Sequence, residues 1–564
     1  MFINRLDEKC HPKGNKVAKK LDRRTFLAKS IALSCSAALG GCTFNRKGSS
    51  ANNRQVKGSN SQAKLNVVFF LVDDLGWRDV GCYGSSFYET PNIDRLAAEG
   101  VRFTQAYAAC HVCSPTRASI LTGKYPARLN LTDWLPGRRE FDFQALKNAD
   151  INQHLPFAEI TLAEALKSKG YGTAIFGKWH LGEEPSGPLA QGFDVQIPRW
   201  NKGWPKSGYH APFQMEGLKD SKGDYLTDRL TDEALNYIEE NKDRPFFLYL
   251  SHFAVHDPIQ GRPDLVKKYS KKLAKMQRSK DPAFVLEGNP DDTKPLSREQ
   301  LTDLIAQPSH QGHRVLPQRT VKIKQQQDNI EFAAMVEAMD ESLGRVLDKL
   351  KTMGLTDNTI VIFFSDNGGM SAANYGNPKH QVPDYRLDDA YSTSNLPLRG
   401  AKGWLYEGGI RVPLIIKWPG HGKKGAVCEE PVISTDFYPA ILEMAGLPSM
   451  SDQHVDGVSF VPALKGEPFD RKAIYWHFPH YSNHGMQSPG GAIRLGDYKL
   501  LEYFENNTVQ LFNLKVDPSE QNDLSRSQPK KAAELLKMLR AWRQEVSAQM
   551  MPIKQAMMTT KSKL

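Results

Sequence analysis

Four short apolar runs in this chain end abruptly in residues able to do chemistry. Asn66–Val72 is β-branched and aromatic and stops at Asp73-Asp74. Thr173–Phe176 stops at Gly177-Lys178, Pro245–Leu250 leads to His252 and His256, and Thr359–Phe364 stops at Ser365-Asp366-Asn367. Continuous apolar runs of this length read as strands covered on both faces, as in parallel sheets. Helical patterns alternate with them. Thr161–Lys169 puts Leu162, Ala165 and Leu166 on one face, and Gln325–Met353 carries Phe332, Val336, Met339, Leu343, Val346 and Leu350 at helical spacing. The alternation predicts an α/β fold, a large mostly parallel mixed sheet flanked by helices. In open sheets of this kind the carboxyl ends of the strands form the ligand crevice, so one crevice could collect all these polar groups.

Two regions break the pattern. Gly261–Lys324 is charged and poorly periodic (Lys267-Lys268, Lys271-Lys272, Asp291-Asp292). It reads as an insertion over the surface near the crevice or, equally, as a solvated helix and loop. From about Arg471 the texture turns strand-like: Ala492–Arg494, Tyr498–Tyr503 and Gln510–Leu514 alternate around Gly496-Asp497 and Asn506-Asn507 turns, and a helix over Lys530–Gln544 follows Pro529. The expectation is a smaller C-terminal antiparallel-sheet subdomain with a terminal helix, residues 471–564, after a main domain over 65–470. Trp476-His477-Phe478-Pro479-His480-Tyr481 opens it with groups suited either to sugar contact or to core packing.

Composition is ordinary for a globular protein, 40% hydrophobic and 24% charged. The net charge of +11 would suggest nucleic acid if it were spread over the chain. It is not. Residues 1–64 hold 14 Lys and Arg against Asp7, Glu8 and Asp22, which leaves 60 of the 74 bases and 60 of the 63 acids elsewhere. The charge belongs to a leader, and no electrostatic case for nucleic-acid binding remains. Arg23-Arg24-Thr25-Phe26-Leu27 before the apolar run Ile31–Leu39 resembles a twin-arginine export signal, and the run is short for a transmembrane helix. Leu39-Gly40-Gly41-Cys42 resembles a lipobox, with Cys42 either lipidated or near an ordinary cleavage site. The expected organisation is a signal over 1–42 and a flexible tether over 43–64, delivering the protein to the periplasm or cell surface.

Seven cysteines are too scattered for a disulfide framework, and Cys10, Cys35 and Cys42 lie in the leader. Cys110-His111-Val112-Cys113 has C-x-x-C spacing, so a redox pair is one reading; zinc would need a second such pair, which the sequence lacks. The other reading starts from Cys113-Ser114-Pro115-Thr116-Arg117, followed by Leu121-Thr122-Gly123. It extends through Asp73-Asp74-Leu75-Gly76, Gly177–Gly182, Ser365–Gly368, Arg399–Gly403, Glu407–Pro413 and Thr435-Asp436. These motifs, in this order, resemble the formylglycine-dependent sulfatases of the alkaline-phosphatase-like superfamily, in particular bacterial exported polysaccharide sulfatases. The resemblance covers Asn66 to Leu524.

That resemblance implies a sulfuric ester hydrolase in which a cytoplasmic maturase oxidises Cys113 to a formylglycine aldehyde. Asp73, Asp74, Asp366 and Asn367, with Cys113, would hold one calcium ion. Their hard oxygens suit calcium, or less well magnesium, rather than zinc. Arg117 would stabilise the hydrated aldehyde, Lys178 and Lys402 would hold sulfate oxygens, and His180 would contact the formylglycine hydroxyl. Clustered cations match the charge that builds on sulfonyl oxygens in the transition state. His256 would bind sulfate or protonate the leaving alcohol, with His252 as the alternative. The family's usual second histidine is absent, because Asp257-Pro258 follows His256.

The expected reaction is in-line attack by a geminal-diol hydroxyl, deprotonated by a carboxylate such as Asp366, to give a covalent sulfate hemiacetal that collapses with help from His180. Sulfated polysaccharides or oligosaccharides are the expected substrates. A phosphodiester or phosphonate ester hydrolase of the same superfamily, or a non-catalytic sulfoglycan-binding protein, are the alternatives. Maturation is expected to precede passage through the twin-arginine machinery, which carries folded proteins.

Overall fold

The computed structural model describes residues 64–140, 144–277, 279–306, 315–316, 319–374 and 391–554. The expected signal, the lipobox at Cys42 and all but the last residue of the tether lie outside them. The described residues form sixteen strands: β1 (Asn66–Val72), β2 (Val101–Tyr107), β3 (Gly172–Gly177), β4 (Val195–Ile197), β5 (Phe246–Ser251), β6 (Phe284–Glu287), β7 (Val315–Leu316), β8 (Thr320–Lys324), β9 (Thr359–Ser365), β10 (Arg411–Lys417), β11 (Ala426–Cys428), β12 (Val432–Ile433), β13 (Ala473–Phe478), β14 (Gly490–Leu495), β15 (Tyr498–Tyr503) and β16 (Val509–Asn513).

The main sheet has the order β11-β2-β10-β9-β1-β5-β3-β4, with β12 also on β2. β1 lies parallel between β5 and β9, and β3 extends the parallel set. β10 runs antiparallel to both its neighbours, which makes the sheet mixed but mostly parallel, as expected. All four strands read from the apolar runs are buried along their whole length.

The pleat explains the layering. Val68, Phe70 and Val72 of β1 join a core with the helices Leu226–Glu240 and Ile330–Thr352, while Val67, Phe69 and Leu71 join another with the helices Cys113–Thr122, Leu162–Ser168 and Phe437–Met444. The Leu162–Ser168 helix starts with a capping box between Thr161 and Glu164, and Asn329 caps Ile330–Thr352 by accepting from the Phe332 amide. Among the described residues no helix is long and apolar enough to cross a membrane.

The charged stretch after Gly261 is more ordered than its composition suggested. Its helix Pro263–Lys275 buries Leu265 and Tyr269 in the core beneath Ile330–Thr352. Lys268 pairs with Glu337 at 2.7 Å and Lys272 with Glu89 at 2.7 Å, so charges that read as solvated are partly matched. β6, β8 and β7 form a small antiparallel sheet in the same stretch.

The C-terminal residues form an antiparallel sheet, β13-β14-β15-β16, packed against the helix Pro529–Glu545. Trp476, Leu500, Leu511, Leu535 and Leu539 share their core with Tyr107, Ala401 and Trp404. A buried ion cluster crosses the same seam. Lys499 Nζ lies 2.9 Å from Glu407 Oε1 and 2.9 Å from Glu520 Oε1, all three side chains having no solvent exposure. Glu407 Oε2 accepts from the Tyr107 hydroxyl at 2.8 Å, and Glu520 Oε2 accepts from the Glu407 amide at 2.7 Å. Burial pushes the Glu520 carboxyl up to about 7 despite Lys499. Burial would raise Glu407 too, but Lys499, Arg411 and Arg494 outweigh it and lower it. Removing the shared cation leaves buried carboxylate charge uncompensated, so Lys499→Met is expected to cost about 3–5 kcal/mol. Urea unfolding with an unchanged slope and a lower midpoint would show this; a loss below about 1 kcal/mol would mean the cluster carries little net weight.

Candidate active site

Backbone hydrogen bonds continue past the strand ends and draw the polar residues together. The His252 amide donates to Leu71 O, the Val255 amide to Asp73 O, the Lys178 amide to Ser251 O and the Asp366 amide to Val72 O. Gly177 is required at the end of β3: its φ is +106°, and a Cβ there would lie 2.0 Å from Ser251 O. The Lys402 amide donates to Gly369 O, which ties the Arg399–Gly403 loop to the segment after β9. Asp74 and His180 both hold left-handed backbone, φ 63° and 58°, a strain of about 1–3 kcal/mol each that persists only where the surroundings fix it.

Cys113 is the first residue of the wholly buried helix Cys113–Thr122, so the unsatisfied amides and positive end of that helix face the site. One helical turn on, Arg117 donates from Nε to Asp366 Oδ2 at 2.8 Å and from Nη1 to Ser251 Oγ at 2.6 Å and Lys178 O at 3.1 Å. Its Nη2 lies 3.8 Å from Asp73 Oδ2. Lys178 Nζ pairs with Asp73 Oδ2, and Lys402 Nζ lies 2.7 Å from both oxygens of Asp74. Asn367 Nδ2 donates to Asp74 Oδ1 at 2.8 Å, and the Asp74 amide donates to Asp366 Oδ1 at 3.3 Å. All ten residues expected in the site, His252 apart, therefore meet at one end of the sheet.

The fields follow from these contacts. Burial, then Asp366, pushes the Asp73 carboxyl up to about 6 against the pull of Lys178. Burial would also raise Asp74, but Lys402, His256 and Lys178 outweigh it and hold its carboxyl well below the usual range. Burial and Lys402 oppose a charge on His256, yet Asp257, Asp74 and Asp73 push its imidazole well above its ordinary value. Burial and Lys178 keep His180 neutral. His180 Nε2 sits 2.7 Å from Leu135 O, which assigns its proton to Nε2 and leaves Nδ1 free to accept.

The two histidine candidates separate cleanly. His252 is buried beneath the strand, with Nε2 2.9 Å from Ser342 Oγ and its ring on Phe70. His256 directs Nε2 to 3.8 Å from Asp74 Oδ2, while its Nδ1 lies 2.7 Å from Asp257 Oδ1. Asp257, the residue directly after His256, thus orients the ring.

A ligand atom from each of Asp73, Asp74, Cys113 and His256 falls within 4.8 Å of the others, a group able to hold a metal ion. Asp73 Oδ1 and Asn367 Oδ1 are buried acceptors with no hydrogen-bond partner, which fits a hard cation sought by oxygen. Asp366 adjoins them, with Oδ2 accepting from Arg117 and Oδ1 from the Asp74 amide at 3.3 Å. The C-x-x-C reading fails on environment: burial pushes the Cys110 thiol well up, opposite to what a redox thiolate requires.

Cys113, His180, His256 and Lys402 line a cavity of about 320 Å³, together with Trp134, Trp204, Asn483 and His484. None of the last four was singled out in the sequence. The aromatic block that was, Trp476–Tyr481, is buried: Trp476 donates to Ala108 O, His477 Nε2 lies against Gln549 O, and Phe478 packs on His111. Core packing accounts for it, and the cavity wall begins two residues later.

The family model described as Sulfatase matches residues 65–447. The chain belongs to the sulfatase family. A second model, described as the C-terminal part of N-sulphoglucosamine sulphohydrolase, matches residues 401–549 of this sulfatase. The enzyme is 30% identical to N-acetylgalactosamine-6-sulfatase of Mus musculus, over 80% of this chain and 74% of that one. It is 28% identical to N-acetylglucosamine-6-O-sulfatase of Bacteroides thetaiotaomicron, over 84% and 85%. The crystal structure of Ps i-CgsB in complex with k-i-k-neocarrahexaose superposes with a TM-score of 0.63 at 27% identity, over 85% of this chain and 92% of that one. The sulfatase is a sulfuric ester hydrolase with the alkaline-phosphatase-like fold.

Proposed function

We propose that this sulfatase cleaves sulfate esters on carbohydrates, with Cys113 matured to formylglycine and a calcium ion held by Asp73, Asp74, Asn367 and the matured side chain, backed by Asp366. The observation that carries the proposal is the convergence of Arg117, Lys178 and Lys402 with these oxygen ligands around Cys113, which lines a cavity together with two indoles. Half-buried Trp134 and exposed Trp204 offer flat apolar faces of the kind that sugar rings stack on. The relatives named for N-acetylgalactosamine and N-acetylglucosamine sulfates, and the neocarrahexaose complex, support a saccharide substrate.

Hydrated formylglycine supplies a nucleophile whose second hydroxyl lets sulfate leave as the aldehyde reforms, through a covalent sulfate hemiacetal, without a second attack at sulfur. A hard cation at the cluster supplies charge to the sulfonyl oxygens. Lys178 and Lys402 hold those oxygens, and the positive helix end beneath Cys113 adds to their field. Arg117, fixed by Asp366 and Ser251, steadies the oxygen on residue 113. His256 Nε2, its ring oriented by Asp257, delivers the proton to the departing alcohol. His180 Nδ1 receives the proton that residue 113 releases when sulfate departs.

The leader sequence supports export by the twin-arginine route after maturation in the cytoplasm, and residence in the periplasm or on the cell surface through lipid on Cys42. Labelling with a radioactive fatty acid, lost on Cys42→Ala, tests the anchor.

The activity test is sulfate release, followed by ion chromatography, from a panel of defined sulfated oligosaccharides beside a phosphodiester and a phosphonate ester. Turnover of at least one sulfated saccharide exceeding either phosphorus ester by about 10²-fold or more in kcat/KM is expected. Preference for a phosphorus ester would overturn the proposal.

A further inference from the structure

His484 is 4% exposed and lines the cavity with Cys113, His256 and Lys402, yet neither ring nitrogen has a hydrogen-bond partner. Its neighbour Asn483 lines the same cavity with an unpartnered, buried Oδ1. Leaving buried polar atoms unpaired costs about 1–3 kcal/mol each, so three in adjacent residues on one wall call for a ligand that pairs them.

The ring is held without using its nitrogens. Ser482 Oγ donates to His484 O at 3.0 Å and accepts from the His484 amide at 3.0 Å. The other side is shut by Gly403, where a Cβ would lie 2.5 Å from His484 Cβ and 2.3 Å from Ser482 Oγ. Gly403 follows Lys402 directly, so the loop that delivers a sulfate-binding lysine also seats this imidazole. His111 gives the contrast: its nitrogens are unpaired too, but its ring packs on Phe478 at 4.2 Å and does not line the cavity.

We propose that His484, assisted by Asn483, is the residue through which the enzyme recognises a hydroxyl of the substrate's sugar ring. The assignment rests on the carbohydrate reading above. The choice of hydroxyl over sulfate follows from hydrogen-bond capacity. Burial and Lys402 hold the imidazole well below its ordinary pKa, so it presents one N–H and one lone pair. A sulfate oxygen only accepts, and on this reading it is already matched by Lys178 and Lys402. A hydroxyl both donates and accepts and can satisfy a ring nitrogen and Asn483 Oδ1 together.

The test uses the full matured enzyme, a sulfated monosaccharide that it cleaves, and the mono-deoxy analogues of that sugar. His484→Phe keeps the ring's shape, and His484→Gln keeps a donor and an acceptor; thermal midpoints establish that each is folded. On the parent sugar His484→Phe is expected to lose about 10–100-fold in kcat/KM, and His484→Gln to recover most of it. One deoxy analogue should cost the wild type a similar factor and bring wild type and His484→Phe to the same rate, the mark of a direct pair. An unchanged His484→Phe rate on the parent overturns the proposal, as does an equal His484→Phe loss on every analogue, which would show a structural role. Failure of the wild type to cleave any sulfated sugar overturns the carbohydrate reading instead, and the assignment falls with it.

Discussion

Cys113→Ser is expected to lower steady-state turnover at least about 10⁴-fold in protein that retains serine, while unfolding at nearly the wild-type temperature. Residue 113 is 2% exposed at the first turn of a buried helix, where oxygen replaces sulfur with little change in volume. The fold therefore has no reason to suffer. Chemistry does: a serine hydroxyl can attack sulfur once but carries no second hydroxyl to expel sulfate. Single-turnover experiments should show sulfate retained on the protein, and Cys113→Ala should show none. Peptide mass spectrometry gives the complementary measurement. Wild-type residue 113 should have lost one sulfur and two hydrogens and gained one oxygen relative to cysteine. Active enzyme whose Cys113 is entirely thiol, or a retained serine with normal turnover, would end the formylglycine proposal.

The second large effect should come from divalent cations. Chelation is expected to lower kcat/KM by about 10³-fold or more, since a cation's stabilisation of developing charge is worth several kcal/mol. Stability offers an independent readout. A ligand present at 100 times its Kd stabilises the fold by about 2.7 kcal/mol, so the stripped enzyme should unfold several degrees lower and recover with calcium more fully than with magnesium. Asp74→Asn supplies the control. It removes a charge at the centre of the cluster, where Lys402, Asn367 and His256 all converge. Its thermal midpoint should be nearly indifferent to calcium. A wild-type midpoint that does not move on chelation would count against a bound cation.

The parts of this structure legible in the sequence were those where one local pattern carries the information. The four fully buried strands announced themselves because both faces are apolar, and their polar terminators therefore marked the crevice. β2 was less legible because its burial is mixed: Val101 and Phe103 are buried, but Arg102, Thr104 and Gln105 are not. β10 begins at Arg411, inside the Glu407–Pro413 motif, so the motif masked the strand. Choosing between His252 and His256 needed the third dimension. The two leave the same strand end four residues apart, and only packing sends one under Phe70 and the other to Asp74. Asn483 and His484 had no motif and no periodicity, and what marks them is an absence of partners that only a folded wall reveals. The Trp476–Tyr481 block is undecided in the sequence for the converse reason, since aromatic rings serve a core as readily as a binding face.

The seam between the two sheets has a consequence in time. The wall over Cys113 is completed by His484, and its sheet is backed by a helix ending at Glu545, about 430 residues after the cysteine. At about 5–20 residues per second, a ribosome needs roughly 20–90 seconds to travel from one to the other. Throughout that interval Cys113 has been made but its cavity has not. A modifying enzyme that requires an extended chain thus has a window set by the length of the protein, and it closes only when the last elements dock.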